Sequence, residues 1–230
     1  MGKRILQVLA SVLMTAPLFG PAASASVVSG TITGGSVKGT GTVIILDPTK
    51  SAFAVGNNNF DTKNLYVFNE VQQFKLLSDL VPDVGSVIKA GSYISSHLVV
   101  FDPLATESVK ASLLFDNTVL GLARKDATLK ATNFLGAPSV NYNTPAYFGL
   151  EPGLDYLTLG QPNANSVRID RLSAGLQSDI FRVFTTSTAP AGVPEPASWI
   201  MMILGMGGIG VAMRRYRRTM PGRSLTRCGA

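Results

Sequence analysis

The chain has 230 residues, 46% of them hydrophobic, and a formal net charge of +6. Eight of its twenty basic residues are Lys3, Arg4, Arg214, Arg215, Arg217, Arg218, Arg223 and Arg227, while Glu195 is the one acid of fourteen outside residues 26–192. That span therefore carries twelve basic and thirteen acidic groups, a net of −1, which excludes the electrostatic footprint of a nucleic-acid partner.

Residues 1–25 read as a signal helix for secretion. Lys3 and Arg4 precede an uncharged, predominantly apolar run from Ile5 to Phe19. Pro17, Gly20 and Pro21 break it, and Ala23-Ser24-Ala25 offers the small residues a signal peptidase needs, with cleavage expected after Ala25. The run is short for a membrane span of about 20 residues.

Residues 26–184 read as an all-β ectodomain. Strands are expected over Val27–Thr33, Thr42–Leu46, Asn64–Phe68, Gln72–Leu77, Tyr93–Phe101, Ser108–Phe115, Val140–Tyr142, Asp155–Leu159, Val167–Leu172 and Phe181–Thr185, all rich in β-branched and aromatic residues. Gly34-Gly35, Asp47-Pro48, Gly56-Asn57-Asn58-Asn59, Pro82-Asp83-Val84-Gly85, Asp102-Pro103, Asp116-Asn117 and Pro162-Asn163 punctuate them as turns. This spacing predicts an antiparallel β-sandwich or jelly roll. Lys125–Leu135 is the best candidate for a short helix or an irregular crossing segment. No disulfide staples the body, because the single cysteine is Cys228. Residues 185–192 are small, polar and Pro-containing, and read as a flexible linker.

Few residues of the body form a catalytic pattern. His97 is the only histidine, which excludes multi-histidine zinc sites, and it lies within a strand, where a structural role is favoured. No Gly-x-Ser-x-Gly elbow is present. Asp47, Asp61, Asp102, Asp116 and Asp155 fall mostly at turns, where Asp caps backbone groups. No Asp-x-Asp-x-Asp-Gly loop marks a calcium site. Gly34-Gly35 and Gly39-x-Gly41 lack the Gly-Lys-Ser/Thr of a phosphate loop. Tyr66, Tyr142, Tyr147 and Tyr156 would stack on sugar rings if exposed. No cofactor or metal is expected, and the chain is read as a non-enzyme.

At the far end, Val193-Pro194-Glu195-Pro196-Ala197-Ser198-Trp199 precedes an uncharged run from Ile200 to Met213, then Arg214, Arg215, Tyr216, Arg217 and Arg218. The prolines around Glu195 hold the chain extended and open to a processing enzyme. A helix over Ala197–Met213 would be about 25 Å long, barely a single transmembrane helix for a core of about 30 Å. Trp199 suits one interface, and the arginines act as a stop-transfer cluster on the cytoplasmic side, with residues 219–230 as a basic tail. Gly205, Gly207, Gly208 and Gly210 would let another membrane helix approach closely.

Residues 193–218 closely resemble the PEP-CTERM sorting domain, in the variant with a tryptophan after the second proline and paired methionines, here Met201 and Met202. The resemblance implies recognition of Glu195 and its flanking prolines by exosortase, an integral-membrane processing enzyme of Gram-negative bacteria that make exopolysaccharide. Val71–Arg182 also resembles an uncharacterised ectodomain found with this tail, through Ser95-Ser96-His97, Phe101-Asp102-Pro103, Phe134-Leu135-Gly136 and Gly149-Leu150-Glu151. The expected product passes through the inner membrane and reaches the cell surface, outer membrane or exopolysaccharide matrix. A structural or adhesive role with weak carbohydrate binding is expected there. The rivals are a polysaccharide hydrolase and a permanently membrane-anchored protein.

Overall fold

The computed structural model describes residues 26–143 and 149–190, with Ile203, Leu204, Met206 and Arg214 beyond them. The expected signal helix of residues 1–25 lies outside the described residues, as does the sorting segment apart from those four positions. No helix among the described residues is long and apolar enough to cross a membrane. The chain divides into two units, Met1–Pro190 and Ala191–Ala230.

The first unit is mostly β. A four-stranded sheet is formed by β1 (Val27–Gly34), β8 (Glu107–Phe115), β12 (Ser166–Ala174) and β11 (Tyr156–Leu159), in that order. A larger sheet runs β2 (Val43–Leu46), β4 (Leu65–Asn69), β7 (Tyr93–Phe101), β13 (Asp179–Thr186), β9 (Val119–Ala123) and β6 (Val84–Gly85), with β5 (Phe74–Lys75) also paired to β7. A third, two-stranded sheet joins β3 (Phe53–Val55) to β10 (Val140–Tyr142). Among the described residues no sheet closes into a barrel.

The two main sheets share one core. Val109, Ala111, Leu113 and Phe115 of β8 alternate with more exposed residues, so β8 turns one apolar face inward. Strand β12 contributes Val167, Ile169, Leu172 and Ala174; a register shift between Ile169 and Leu172 restores the inward face after Asp170 and Arg171. The larger sheet answers with Leu65, Val67, Val99, Phe101, Phe181 and Val183. Gly35, just after β1, has a φ of +89°, and a Cβ there would lie 2.2 Å from the Ser108 carbonyl oxygen.

The larger sheet is buried on its other face too. Tyr66, Phe68, Ile94, Leu98, Val100, Ile180 and Phe184 enter a second core. It is closed by Leu129 of α1 (Asp126–Ala131), Leu135 of a 3-10 turn (Asn133–Leu135), Val55 and Val140. Double burial explains why β4 and β13 read as nearly continuous apolar runs. Helix α1 starts without a capping side chain of its own. Instead Asp83 accepts the Arg124 and Lys125 amides (2.7 and 2.9 Å) and the Thr128 hydroxyl. Burial pushes the Asp83 carboxyl up, but these bonds and Lys125 more than offset it and hold it below its ordinary value.

Three expectations are corrected. The pairing is not wholly antiparallel, because β2–β4, joined by a crossover that contains β3, and β3–β10, from distant parts of the chain, are parallel. The turn expected at Pro82–Gly85 contains β6, paired to β9. The linker cannot begin at residue 185, because β13 continues through Thr186, whose amide bonds the Thr118 carbonyl (2.8 Å).

Candidate functional site

His97 sits on β7 with no exposed surface. Its Nδ1 lies 2.8 Å from Asn69 Oδ1, which also accepts the Val27 amide and so acts as an oxygen acceptor. Nδ1 therefore carries the proton, and Nε2 accepts from the Thr185 hydroxyl at 3.0 Å. The ring packs 4.9 Å from Phe115. Burial drives the imidazole pKa down to about 3. Because the folded value lies below the unfolded one, the stability this neutral ring contributes is complete above about pH 6.5 and fades as pH falls toward 3. As the chain has one histidine, a single imidazole Cε1–H resonance reports it. That resonance will keep its neutral shift from pH 8 to pH 5, and a midpoint above 5 would contradict the buried assignment.

The turn acids are engaged by backbone. Asp47 bonds the Thr49 amide and hydroxyl, and Asp116 bonds the Ser26 amide. Asp102 accepts the amides of Asn58, Asn59 and Phe60. Asp61 adopts a left-handed φ of 50°. Of the tyrosines, Tyr66 is buried and stacks on Phe60 at 4.1 Å, whereas Tyr156 on β11 is 52% exposed. Tyr147 lies outside the described residues.

A buried ion pair that no local sequence pattern marks holds the second core together. Glu70 follows β4, and Arg182 projects from β13 on the same face as Ile180 and Phe184. Arg182 Nε and Nη2 donate to the two Glu70 carboxylate oxygens at 2.5 and 2.8 Å, with both side chains fully buried. Glu70 also accepts the Ser96 hydroxyl (2.6 Å) and the Tyr142 hydroxyl (2.8 Å). Arg182 Nη1 donates to the Leu129 carbonyl and to Thr132 Oγ1. Burial first, then the Glu70 charge, raises the Tyr142 phenol well above its ordinary value, so it remains a donor. The only sequence signal was a lone arginine inside the apolar run Ile180–Phe184.

A second cluster lies where the chain leaves the smaller sheet at Ala174 and enters the larger at Asp179. One carboxylate oxygen from each of Glu151, Asp155 and Asp179 lies within 4.8 Å of the others. Asp155 is fixed by backbone, its Oδ2 accepting the Glu151 amide (2.7 Å) and its Oδ1 the Ser173 amide (2.9 Å). Asp179 is 3% exposed, and its Oδ2 has no hydrogen-bond partner. Burial, then the charges of Asp155 and Glu151, pushes the Asp179 carboxyl up to about 8. Glu151 is exposed beside a cleft of about 340 Å³ that Lys125, Asp126, Pro152 and Gln177 also line. Of these three acids, the sequence reading singled out only Asp155, as a turn residue.

The sorting residues Val193, Pro194, Glu195, Pro196 and Trp199 and the cluster Arg215, Arg217 and Arg218 lie outside the described residues, as do Ala23 and Ala25. No curated protein and no solved structure matches the chain. No family matches the rest of the chain either, so the resemblance over Val71–Arg182 gains no support. Residues 192–218 match the PEP-CTERM protein-sorting motif, which marks an exported bacterial protein that exosortase processes and sorts to the cell surface.

Proposed function

We propose that the ectodomain is a structural and adhesive element of the bacterial surface or its exopolysaccharide matrix, without catalysis of its own. The sorting motif carries this reading, because it implies export and sorting to the cell surface. The internal chemistry supports it. His97 and Asp102 are wholly buried and already bonded within the fold. Hydrolysis of a glycoside needs two carboxylates that both reach the sugar. In the acid cluster only Glu151 is exposed, so a sugar cannot touch two carboxylates of that cluster. Among the described residues Tyr156 and Phe134 are exposed aromatics, and Tyr156, on an edge strand, is the one we assign to weak stacking on a sugar ring.

The test expresses the full chain in an exosortase-bearing Gram-negative host and fractionates the cells. The wild type reaches the surface fraction with a mass lacking Arg214–Arg218. A chain with Pro194, Glu195 and Pro196 all replaced by alanine accumulates uncut in the inner membrane. Surface protein that retains the arginines would instead support permanent anchoring. Retention on the host's own exopolysaccharide falls about three- to tenfold in Tyr156→Ala, in line with the usual worth of one aromatic contact. Unchanged retention would remove the carbohydrate contact.

A further inference from the structure

The Glu151–Asp155–Asp179 cluster brings together three acids with no directly paired counter-charge among the described residues. Among the described residues no lysine or arginine forms an ion pair with any of them. Arg171 acts on Asp155 only at a distance, and Lys125 and Asp126 line the neighbouring cleft. Asp155 keeps lone pairs free beyond its two backbone bonds. The independent observation is Asp179. The residue is 97% buried and its Oδ2 has no donor, which is costly, and native folds retain such an atom where something else satisfies it.

We propose that Glu151, Asp155 and Asp179 bind a calcium ion. All donors are hard carboxylate oxygens, with neither histidine nor cysteine among them, which disfavours zinc and soft metals. Three carboxylates supply three to six of the six to eight oxygens that calcium takes, and water completes the shell through the exposed Glu151 side. Magnesium needs a tighter octahedron and sheds water reluctantly, so a partly buried all-carboxylate site suits it less. The ion ties the Glu151–Asp155 turn to the first residue of β13. It thereby locks the crossing between the two sheets.

The test follows thermal unfolding of the full-length protein in detergent after chelator treatment. CaCl2, MgCl2 or ZnCl2 is then titrated at constant ionic strength. Calcium at about a hundredfold excess over its Kd raises Tm by roughly 5–10 °C, saturably. Asp179→Asn reduces the shift to within about 1 °C. Asn keeps the shape of Asp179, yet it alters a buried position. Glu151→Gln therefore provides a second variant at an exposed site, whose unliganded Tm does not fall below the wild-type value, since it removes a like charge from the cluster, while its calcium response weakens at least tenfold in midpoint. No saturable response in the wild type, a response that persists in both variants, or a stronger response to magnesium or zinc than to calcium would each overturn the assignment.

Discussion

Replacing Arg182 by methionine will destabilise the ectodomain by about 3–5 kcal/mol, because it leaves Glu70 charged, buried and without its counter-ion. Methionine fills much of the same volume, so the loss is electrostatic rather than a cavity. The guanidinium bonds both Glu70 oxygens, the Leu129 carbonyl and Thr132 Oγ1. It therefore joins the larger sheet to the helical layer that covers it. The double variant Glu70→Leu with Arg182→Met should recover much of the loss, since replacing a whole buried pair by apolar side chains is often nearly neutral. Thermal or denaturant unfolding of both variants checks this. A single variant that loses less than about 1 kcal/mol would show that Glu70 finds relief elsewhere.

The second large effect is expected at Asp102. This side chain has no exposed surface and collects the Asn58, Asn59 and Phe60 amides at 3.3, 2.8 and 2.9 Å. The loop folds around the carboxylate, with Asn58 held at a left-handed φ of 56°. Asp102→Ala strands three donors at once, and hydrogen bonds to a charged acceptor are individually worth about 1.5–3 kcal/mol. A destabilisation of about 3–5 kcal/mol follows once the loop relaxes toward water. Asp102→Asn keeps the shape but places a donor where an acceptor is needed, and should fall between. Hydrogen exchange gives the local readout: amides 58–60 lose protection by about a hundredfold or more, while those of β8 change only with global stability. Retained protection at these three amides would contradict the role.

How much of this was legible in the sequence depends on whether the signal was local. Strands β7, β8, β12 and β13 are long and rich in β-formers, and each falls on an expected strand. Strand β9 was missed because Val-Leu-Gly-Leu-Ala shows no alternation, and Gly121, Leu122 and Ala123 are all buried. Strand β3 has three residues and a partner 87 positions away, so nothing near it in sequence marks the pairing. Strand β6 has two residues inside a Pro-Asp-Val-Gly turn signal. The same logic governs the polar sites. The backbone-capping acids were readable because turn chemistry is local. Glu70 and Arg182 are separated by 112 positions and meet only through sheet order. Asp179 looked like any acid before an apolar strand. Its cluster needs the turn at 151–155 brought against the crossing into the larger sheet.

The strand that leads to the sorting tail has a mechanical consequence. β13 lies inside its sheet, hydrogen-bonded to β7 along eight residues on one side and to β9 on the other. Tension applied through the tail at the cell surface would run along that strand. The ladders on both flanks would then bear the load together in shear, whereas an edge strand pulled outward peels one bond at a time. A body whose last strand is interior is suited to resist a pull from that end.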